Sequence, residues 1–449
     1  MAMVAGAVCS TGAGAQQYSD LEQAAQNGQQ LSIATNLVAI CPTLSTLGGF
    51  SLTGDSGDLF RRCDGAIQLA DPMGSNFDAA TAASNLQMLA GEEVAGQQAI
   101  VDGVVQPQTR AVAARVSALG GRLGSSQLGA LAPERKEERI LLASLEPVQV
   151  AADESGFAAE FPSGLGVFLN GSYGFGDRDA TSLEAGFDFD DYSVTGGVDY
   201  FVRDNLVVGL AGGYGATDID FDDNAGGIDT DTFSVSGYTL WNPMDELGVS
   251  ALVSYGMVDY DTKRNLVFTD PNGSVNRTAK GDTDAYQLEL SGSAYYDFTY
   301  ESLTYGPTLR VTYFHTDVDG YTESGAQGLD LTFDDFDADS FQTALGGAVS
   351  HAISADFGVV VLQGRAEWIH EFMDDADTID VRFKSDPTPG SSPVILVTTE
   401  DPDRDRALLG GGASVVFANG VSAFADFEAV AFHKDVESYT LTVGGRLEF

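Results

Sequence analysis

The chain changes its hydrophobic period near residue 160. From Tyr18 to about Gly103, apolar residues such as Leu31, Ala34, Leu37 and Val38 recur at intervals of three and four. That spacing is typical of amphipathic helices. A second helical stretch follows from Gln108 to about residue 145, so the first third of the chain is predicted to be helical.

Beyond residue 160 the period becomes two. In the last segment Leu441, Val443 and Leu447 alternate with Thr440 and Thr442, and the same split occurs over 286–298 and 421–429. Alternation indicates strands with one polar and one apolar face. A soluble sandwich and a membrane barrel both show this pattern, so it does not decide between them.

The connections between strands favour the barrel. Twelve strands are centred near residues 170, 196, 211, 237, 253, 291, 310, 345, 365, 412, 426 and 443. Tight joints at 203–205, 242–246, 299–302, 354–356 and 419–420 alternate with long acidic joints near 177–190, 219–231, 264–283, 317–337 and 374–403. Short turns at one end and long loops at the other are the layout of an outer-membrane barrel. The prediction is a mainly β fold, a 12-stranded antiparallel transmembrane β-barrel over residues 161–449 behind an α-helical N-terminal region.

Aromatic residues support this layout because they gather beside the tight joints, where an interfacial girdle would place them. They are Tyr200, Phe201, Trp241, Phe298, Tyr300, Phe417 and Phe449. Most prolines of this half fall in joints, and Pro307 is expected at a strand start, since proline cannot donate to a ladder.

Charge excludes one class of partner. The 449 residues carry a net charge of −44, so binding of nucleic acid through its phosphates is not expected. Residues 1–150 hold −6 of this charge and residues 151–449 hold −38, which indicates two regions of different character. The chain has no run of about 18 uncharged apolar residues, so a helical membrane protein is not predicted.

The N-terminus indicates export. Residues 1–15 end in Ala13-Gly14-Ala15, which fits the end of a signal peptide, although the usual basic start is missing. A flexible small-residue tail is the alternative. In an exported chain Cys41 and Cys63 are predicted to form a disulfide within a small helical domain at 16–103, with two buried free thiols as the alternative. A metal site is not expected from two cysteines alone.

The last strand and one earlier strand resemble a known family. The terminal pattern Gly444-x-x-Leu447-x-Phe449 is similar to the signal read by the outer-membrane barrel assembly machinery, with Val443 where a polar residue is usual. The stretch 365–372, which contains Trp368, is similar to one common in these barrels. The acidic half therefore resembles the translocator barrel of autotransporters (type V secretion). That resemblance implies a Gram-negative outer membrane, contact with its lipid and its assembly machinery, and an N-terminal domain at the cell surface.

The resemblance also implies that a helix in residues 104–160 threads the pore. This linker is basic and contains Arg110, Arg115, Arg122, Arg135, Lys136 and Arg139. The residues expected to face the lumen are mostly acidic, and they are Glu289, Arg365, Glu367, Glu371, Asp426, Glu428 and Arg446. Opposite charges would hold such a helix in place. The alternative is a solvated helix outside the membrane and a lumen that conducts.

Catalysis is not expected. Gly54-Asp55-Ser56 is similar to the nucleophile block of lipase-type autotransporters, but Gly57 follows and the partnering Asp-x-x-His is missing. All four histidines lie in the barrel half, so none is expected to serve Ser56 as a base. Residues 104–169 contain no Asn, so self-cleavage through an Asn in the pore segment is not expected either. No cofactor is predicted.

The acidic runs at 218–223 and 334–339 offer carboxylate oxygens, which Ca²⁺ prefers. Solvated loop charges, or divalent cations that bridge to anionic lipid, are the alternatives.

Two functions follow from the whole pattern. One is an outer-membrane barrel that anchors and exposes its own short helical passenger without catalysis. The other is a porin-like channel that its N-terminal helical segment gates or plugs.

Overall fold

The computed structural model describes residues 13–91, 164–181, 183–417 and 420–449, with side chains described from Ser19 onward. Outside the described residues lie the whole linker at 104–160, with the six basic residues predicted for the pore helix, and residues 1–12 of the possible signal remnant. Their roles, and the domain boundaries, stay predictions.

Twelve strands form a closed antiparallel barrel, as the sequence predicts. The barrel strands are β1 (Leu165–Arg178), β2 (Phe187–Arg203), β3 (Leu206–Phe221), β4 (Gly226–Met244), β5 (Leu247–Asp270), β6 (Gly273–Tyr296), β8 (Leu303–Val318), β11 (Phe336–Ala355), β12 (Gly358–Glu371), β15 (Asp405–Phe417), β16 (Val421–Ala431) and β17 (Val436–Glu448). A three-residue strand, β7 (Phe298–Tyr300), continues β6 past Asp297. Strand β17 pairs with β1, and β11 pairs with β8, so the ring has no open edge.

The two ends of the barrel differ. One end, the short-turn end, carries the turns at 204–205, 245–246, 301–302 and 356–357 together with Gly164, Gly420 and Phe449. The opposite end, the long-loop end, carries the connections at 179–186, 319–335 and 372–404. Two of these long connections contain a second sheet of four short strands. Those strands, here called the outer sheet, are β9 (Tyr321–Thr322), β10 (Leu331–Phe333), β13 (Thr378–Phe383) and β14 (Ile395–Thr398).

Apolar side chains cover the outside of the barrel wall. Leu210, Val235, Val253, Leu345 and Leu441 point outward and are exposed, whereas their neighbours along each strand point inward. An exposed apolar surface of this extent is unfavourable in water, so the wall requires an apolar medium around it.

Aromatic residues mark two levels of this wall. At the short-turn end the Phe298 ring packs between those of Tyr296 and Tyr305 at tilted angles. At the other level Tyr173 stacks on Tyr192, with ring centroids 4.9 Å apart. Tyr214 packs on Phe233, Tyr255 on Tyr286 and Phe427 on Tyr439 at the same level. The sequence predicts the first girdle, and the second is revealed only by the register of the strands.

Two of the predicted long loops are wrong. The connection placed at 219–231 is only the turn at 222–225, and the one placed at 264–283 is a hairpin whose strands stay paired up to Asp270 and Gly273. Acidic runs predict loops because a strand that crosses lipid needs apolar residues on its outer face. Beyond the apolar wall the outer face can be polar, so β3 to β6 continue there as paired strands.

Two further residues differ from expectation. Pro307 is the fifth residue of β8 rather than its first, and it lies beside the break between β6 and β7 at Asp297, where no ladder bond is required of it. Phe201 does not join the outward girdle. Its ring lies 5.9 Å from the guanidinium of Arg446, which points inward.

Within the described residues ahead of the barrel lie four helices: α1 (Ala13–Ala24), α2 (Gly28–Leu47), α3 (Gly54–Ala70) and α4 (Ala79–Ala90). The Asn27 side chain accepts a hydrogen bond from the Gln30 N–H at the start of α2, and Asp78 accepts one from the Thr81 N–H at the start of α4. The predicted disulfide joins Cys41 and Cys63, whose Cα atoms are 6.0 Å apart. These helices, residues 13–91, are called the cap below.

Helix α2 is long and apolar enough to cross a bilayer by length and composition alone. Its position argues for another role. It packs against α3 and α4 and buries Gln29 and Asn36 as well as its apolar face. It is therefore a core helix of the cap.

Candidate functional site

Charged side chains line the inside of the barrel and pair across its wall. Arg365 on β12 donates to Asp426 and Glu428 on β16, at 2.5 and 2.7 Å. Arg310 on β8 donates to Glu367 on β12 at 2.8 Å. Each pair reaches over an intervening strand, so the side chains lie flat against the wall.

Glycines on the intervening strands allow these long contacts. A Cβ atom at Gly410 would come within 2.7 Å of the Arg365 guanidinium, and one at Gly346 would come within 2.8 Å of Glu367. Gly166 separates Arg446 from Asp199 in the same way, and the two side chains meet at 3.2 Å. A glycine is therefore required wherever a charged pair crosses a strand.

The remaining predicted lumen residues divide into two groups. Glu289 on β6 faces the interior and is buried. Glu371 instead lies at the end of β12, where its carboxylate accepts hydrogen bonds from the Ser340 hydroxyl and the N–H groups of Phe341 and Met373. Glu371 therefore holds the start of the 372–404 connection in place. Several of the other predicted lumen charges neutralise one another within the wall.

Small hydroxyl residues occupy the space between these ion pairs. Ser172 hydrogen-bonds with Ser193 at 2.6 Å, and similar contacts join serines and threonines of β4, β5, β6 and β8. The middle of the lumen is therefore polar, as the sequence predicts.

The lumen changes character toward the long-loop end. Phe189, Ile219, Ile228 and Tyr260 point inward there and are almost completely buried. This apolar collar was missed because its residues lie in the acidic stretches read as loops. Its full set of buried members is Phe187, Phe189, Ile219, Phe221, Ile228, Val258, Tyr260, Ala285, Val318 and Val436. Water does not reach these side chains, so the wall has an apolar inner face at this level.

The cap lies on the long-loop end of the barrel and is fixed by buried ion pairs. Arg62 of α3 donates to Asp270 at the tip of the β5–β6 hairpin, at 2.7 Å. Arg277 on β6 makes a two-pronged contact with Asp58 of α3. Arg264 on β5 bonds Glu323 and also donates to the backbone carbonyl of Met88 in α4.

Helix α2 covers the free edge of the outer sheet. The Gln29 amide donates to the carbonyl of Thr398 at 2.8 Å, and the Ser32 hydroxyl accepts from the N–H of Leu396 at 2.6 Å. One helical turn further, the Asn36 amide donates to the carbonyl of Pro393 at 2.6 Å. Three polar residues on one face of a helix thus satisfy the backbone groups of β14.

Carboxylates face each other on the outside of the wall near the long-loop end. The register pairs Asp218 with Asp229 and Asp259 with Asp284, an arrangement that is unfavourable without counter-charges. The two acidic runs are therefore partly strand, not loop as expected. Among the described residues, His315, Asp337 and Asp339 bring their ligand atoms within 4.8 Å of one another. Divalent cations at this rim stay a prediction.

Ser56 is placed in the first turn of α3. The histidines have partners elsewhere: His315 bonds Asp339, His370 bonds Asp405, His433 contacts Asp403 and His351 contacts Ser302. Within the described part of the chain no histidine is hydrogen-bonded to Ser56.

The predicted assembly signal lies on β17, the strand that closes the barrel. Gly444 faces inward between Asn170 and Phe424, whereas Leu447 faces outward. The Phe449 N–H donates to the carbonyl of Leu165, and its carbonyl accepts from the N–H of Gly164.

Residues 167–428 match the family model described as the autotransporter beta-domain, which is more than half of the chain. The chain belongs to this family. The autotransporter resemblance is thereby confirmed, and the barrel is an outer-membrane translocator fold. The apolar wall between the two aromatic girdles is the surface that meets lipid.

One solved structure with the same fold is that of another autotransporter translocator. The translocator domain of autotransporter NalP from Neisseria meningitidis is similar over 64% of this chain and 89% of that domain, with a TM-score of 0.51 at 17% identity. The beta domain of the Bordetella autotransporter Brka is 16% identical over 64% of this chain and all of that domain, with a TM-score of 0.46.

A curated relative carries a catalytic name. Esterase EstA of Pseudomonas aeruginosa is 28% identical over 141 residues, which is 31% of this chain. The match spans 21% of that relative, so the chain covers about a fifth of its length.

Proposed function

We propose that this autotransporter barrel anchors its own helical cap at the cell surface and displays it without catalysing a reaction. The observation that carries the proposal is the docking of the cap on the long-loop end through Arg62–Asp270 and Arg277–Asp58. In outer-membrane barrels the short turns face the periplasm and the long loops face outward. The cap would then be extracellular.

Cysteine labelling on whole cells tests this orientation. In a Cys9→Ser background, Met73→Cys places a thiol on the most exposed part of the cap, and Asp204→Cys places one in a short turn. A membrane-impermeant maleimide is expected to label Met73→Cys on intact cells and Asp204→Cys only after the outer membrane is permeabilised. The reverse result would refute surface display.

We propose further that the chain between cap and barrel runs through the lumen. Gly91, at the end of the cap, lies against Leu331 at the long-loop end, whereas Gly164 bonds Phe449 at the short-turn end. Residues 92–163 must therefore connect opposite ends of the barrel. A polar, charged chain does not cross through lipid, so the polar lumen is the proposed route for the linker and its six basic residues.

Current through planar bilayers tests the threaded lumen against the porin-like alternative. The intact protein is expected to be nearly closed, because the linker would fill the lumen. A variant without residues 13–150 is expected to pass more current. A large steady current from the intact protein would favour the channel.

The absence of catalysis is proposed because Ser56 has no histidine partner among the described residues. Purified protein is expected to leave short-chain and long-chain nitrophenyl esters unhydrolysed, and Ser56→Ala is expected to behave like the parent. Hydrolysis that Ser56→Ala abolishes would show an esterase.

Contact with the assembly machinery is proposed for β17. Phe449→Ser should lower the amount of folded barrel in the outer membrane more than Leu441→Ser, which changes an outward residue of the same strand. Equal losses would assign both residues to lipid contact only.

A further inference from the structure

We infer that the outer sheet and the β5–β6 hairpin are the folding template of the cap, so the helices complete a stable core only where these barrel elements are present. The inference rests on the proposed surface display for its biological setting, but its structural content does not. It assigns a function to the long loops, which the translocator fold does not explain.

The first support is a shared hydrophobic core. Buried residues of the cap and of the barrel elements form one continuous cluster, and almost half of its fully buried members belong to the barrel. The cap contributes Leu21, Ile33, Ala34, Leu37, Ile40, Cys41, Leu44, Leu59, Phe60, Cys63, Ala66, Leu69, Ala70, Ala82, Leu86 and Leu89. The hairpin and the outer sheet with its connections contribute Leu266, Phe268, Val275, Ala279, Tyr321, Ala326, Leu329, Leu331, Phe333, Ile379, Val381, Phe383, Ile395 and Val397.

Size makes this sharing important. A domain of fewer than about 80 residues buries too little apolar surface to be stable by a wide margin. The four helices end at Ala90, so the cap is within this range. Without the barrel elements it would expose the face that now meets β13 and β14.

The second support is polar and independent of the first. Gln29 and Asn36 are buried in the apolar surroundings of α2, and their amide N–H groups donate to the carbonyls of Thr398 in β14 and of Pro393 just before it. Asp58 and Arg62 on α3 find their partners in Arg277 and Asp270. Buried polar groups cost free energy when their partners are missing. Without the barrel elements the cap therefore lacks part of its apolar contacts and part of its polar contacts.

This dependence has a use in secretion. A segment that cannot complete its core on the periplasmic side stays unfolded there and passes through a narrow lumen as an extended chain. Beyond the barrel the outer sheet supplies the missing half of the core, and the helices fold against it.

A matched pair of substitutions in purified full-length protein tests the template. Val381 on β13 faces the cap and is fully buried, whereas Leu396 on the neighbouring strand points away from it and is exposed. Val381→Asp should increase the rate at which proteinase K cleaves the cap at least tenfold and should lower its helical circular dichroism. Leu396→Asp should leave both unchanged. The heat-dependent shift of folded barrels on SDS gels shows whether the barrel is intact in each variant.

The reciprocal substitution completes the test. Ile40→Asp in α2 should expose the connections at 372–404 to the protease, because a shared core fails from either side. If Val381→Asp disrupts the barrel as well, Val381→Ala replaces it, and a cleavage rate several-fold above the parent is expected.

An intact barrel with a fully protected, fully helical cap in Val381→Asp or Val381→Ala would overturn the template. Protection of the outer sheet in Ile40→Asp would overturn it too. Because these measurements use purified protein, they are independent of the whole-cell labelling that tests surface display.

Discussion

Arg62 and Asp270 stand 208 positions apart in the chain and meet at 2.7 Å with both side chains buried. The contact joins the middle of α3 to the tip of the β5–β6 hairpin. Gly65 makes room for it, since a Cβ atom there would come within 2.6 Å of the Asp270 carboxyl. The hairpin tip is thus shaped to receive one particular face of the cap.

Removing one partner of this pair should loosen the cap. Arg62→Ala leaves the Asp270 carboxylate buried without its main counter-charge, and breaking a buried pair in this way costs about 3–5 kcal/mol. The free energy of cap unfolding, measured by urea titration with circular dichroism at neutral pH, should fall by this amount.

A surface pair provides the matched control. Lys263 and Asp229 also meet at 2.6 Å, but both side chains are nearly half exposed. Lys263→Ala should change stability by less than about 1 kcal/mol, as is usual for exposed pairs. Equal effects of Arg62→Ala and Lys263→Ala would contradict the importance of the buried contact.

The glycine beneath Arg365 should be intolerant of any side chain. Gly410→Ala would place its Cβ atom 2.7 Å from the guanidinium and force Arg365 away from Asp426. Overpacking of this kind costs about 1–3 kcal/mol, so the temperature at which the barrel loses its compact form on SDS gels should fall.

Gly411 is the neighbouring control. It points to the other face of β15, and its nearest atom would lie 3.6 Å from an added Cβ, which is ordinary contact. Gly411→Ala should leave the gel transition unchanged. If both alanine variants behave alike, the bridge over β15 does not constrain the wall.

The disulfide should stabilise the cap chiefly by restricting its unfolded chain. Cys41 and Cys63 close a loop with a sequence separation of 22, for which the chain-entropy model gives roughly 3 kcal/mol. The double variant Cys41→Ala, Cys63→Ala should unfold its cap at a correspondingly lower urea concentration and keep its barrel intact. A cap that unfolds at the same concentration with and without the bridge would contradict this.

The sequence predicts those parts of the fold that lipid imposes. Outward residues such as Leu441 and Val443 must alternate with inward Thr440 and Thr442, and tight turns must alternate with long connections, so the twelve strands can be counted. This alternation is not imposed outside the lipid. Between the level of Tyr255 and the long-loop end, the strands carry acidic residues on their outer face and the apolar collar on their inner face, and their composition alone predicts loops.

The docking of the cap was beyond the reach of local patterns. Arg62 and Asp270, or Asn36 and Pro393, are brought together by closure of the barrel and not by spacing in the chain. The lumen residues Arg365, Asp426 and Glu428 were predictable from alternation, yet their pairing over Gly410 depends on register. A run of glycines within β15 was the available signal for that crossing.

The acid response of the cap should reverse its sign with pH because two buried carboxyls at its contact with the β5–β6 hairpin are shifted in opposite directions. Burial would raise the pKa of Asp58, but the Arg277 and Arg62 guanidinium groups and the N–H of Gly328 outweigh it and hold the pKa below the usual value of 3.8. Burial raises the pKa of Asp270 despite its contact with Arg62. Asp270 therefore takes up its proton in the folded cap before Asp58 does.

The sign of each contribution follows by linkage. A raised carboxyl pKa in the folded state makes the cap more stable as the pH falls toward the unfolded value of about 4. The lowered pKa of Asp58 gives stability that is complete above this pH and is lost as the pH falls through the folded pKa. Cap stability, followed by urea titration from pH 7 to pH 2.5, should hold or rise slightly as the pH falls to about 4 and then drop steeply.

The cap of Asp58→Asn should be less stable than that of the parent at neutral pH and should lose the steep drop in stability. The cap of Asp270→Asn should lose only the slight rise. An unchanged acid slope in Asp58→Asn would show that Asp58 is not the group whose protonation releases the cap.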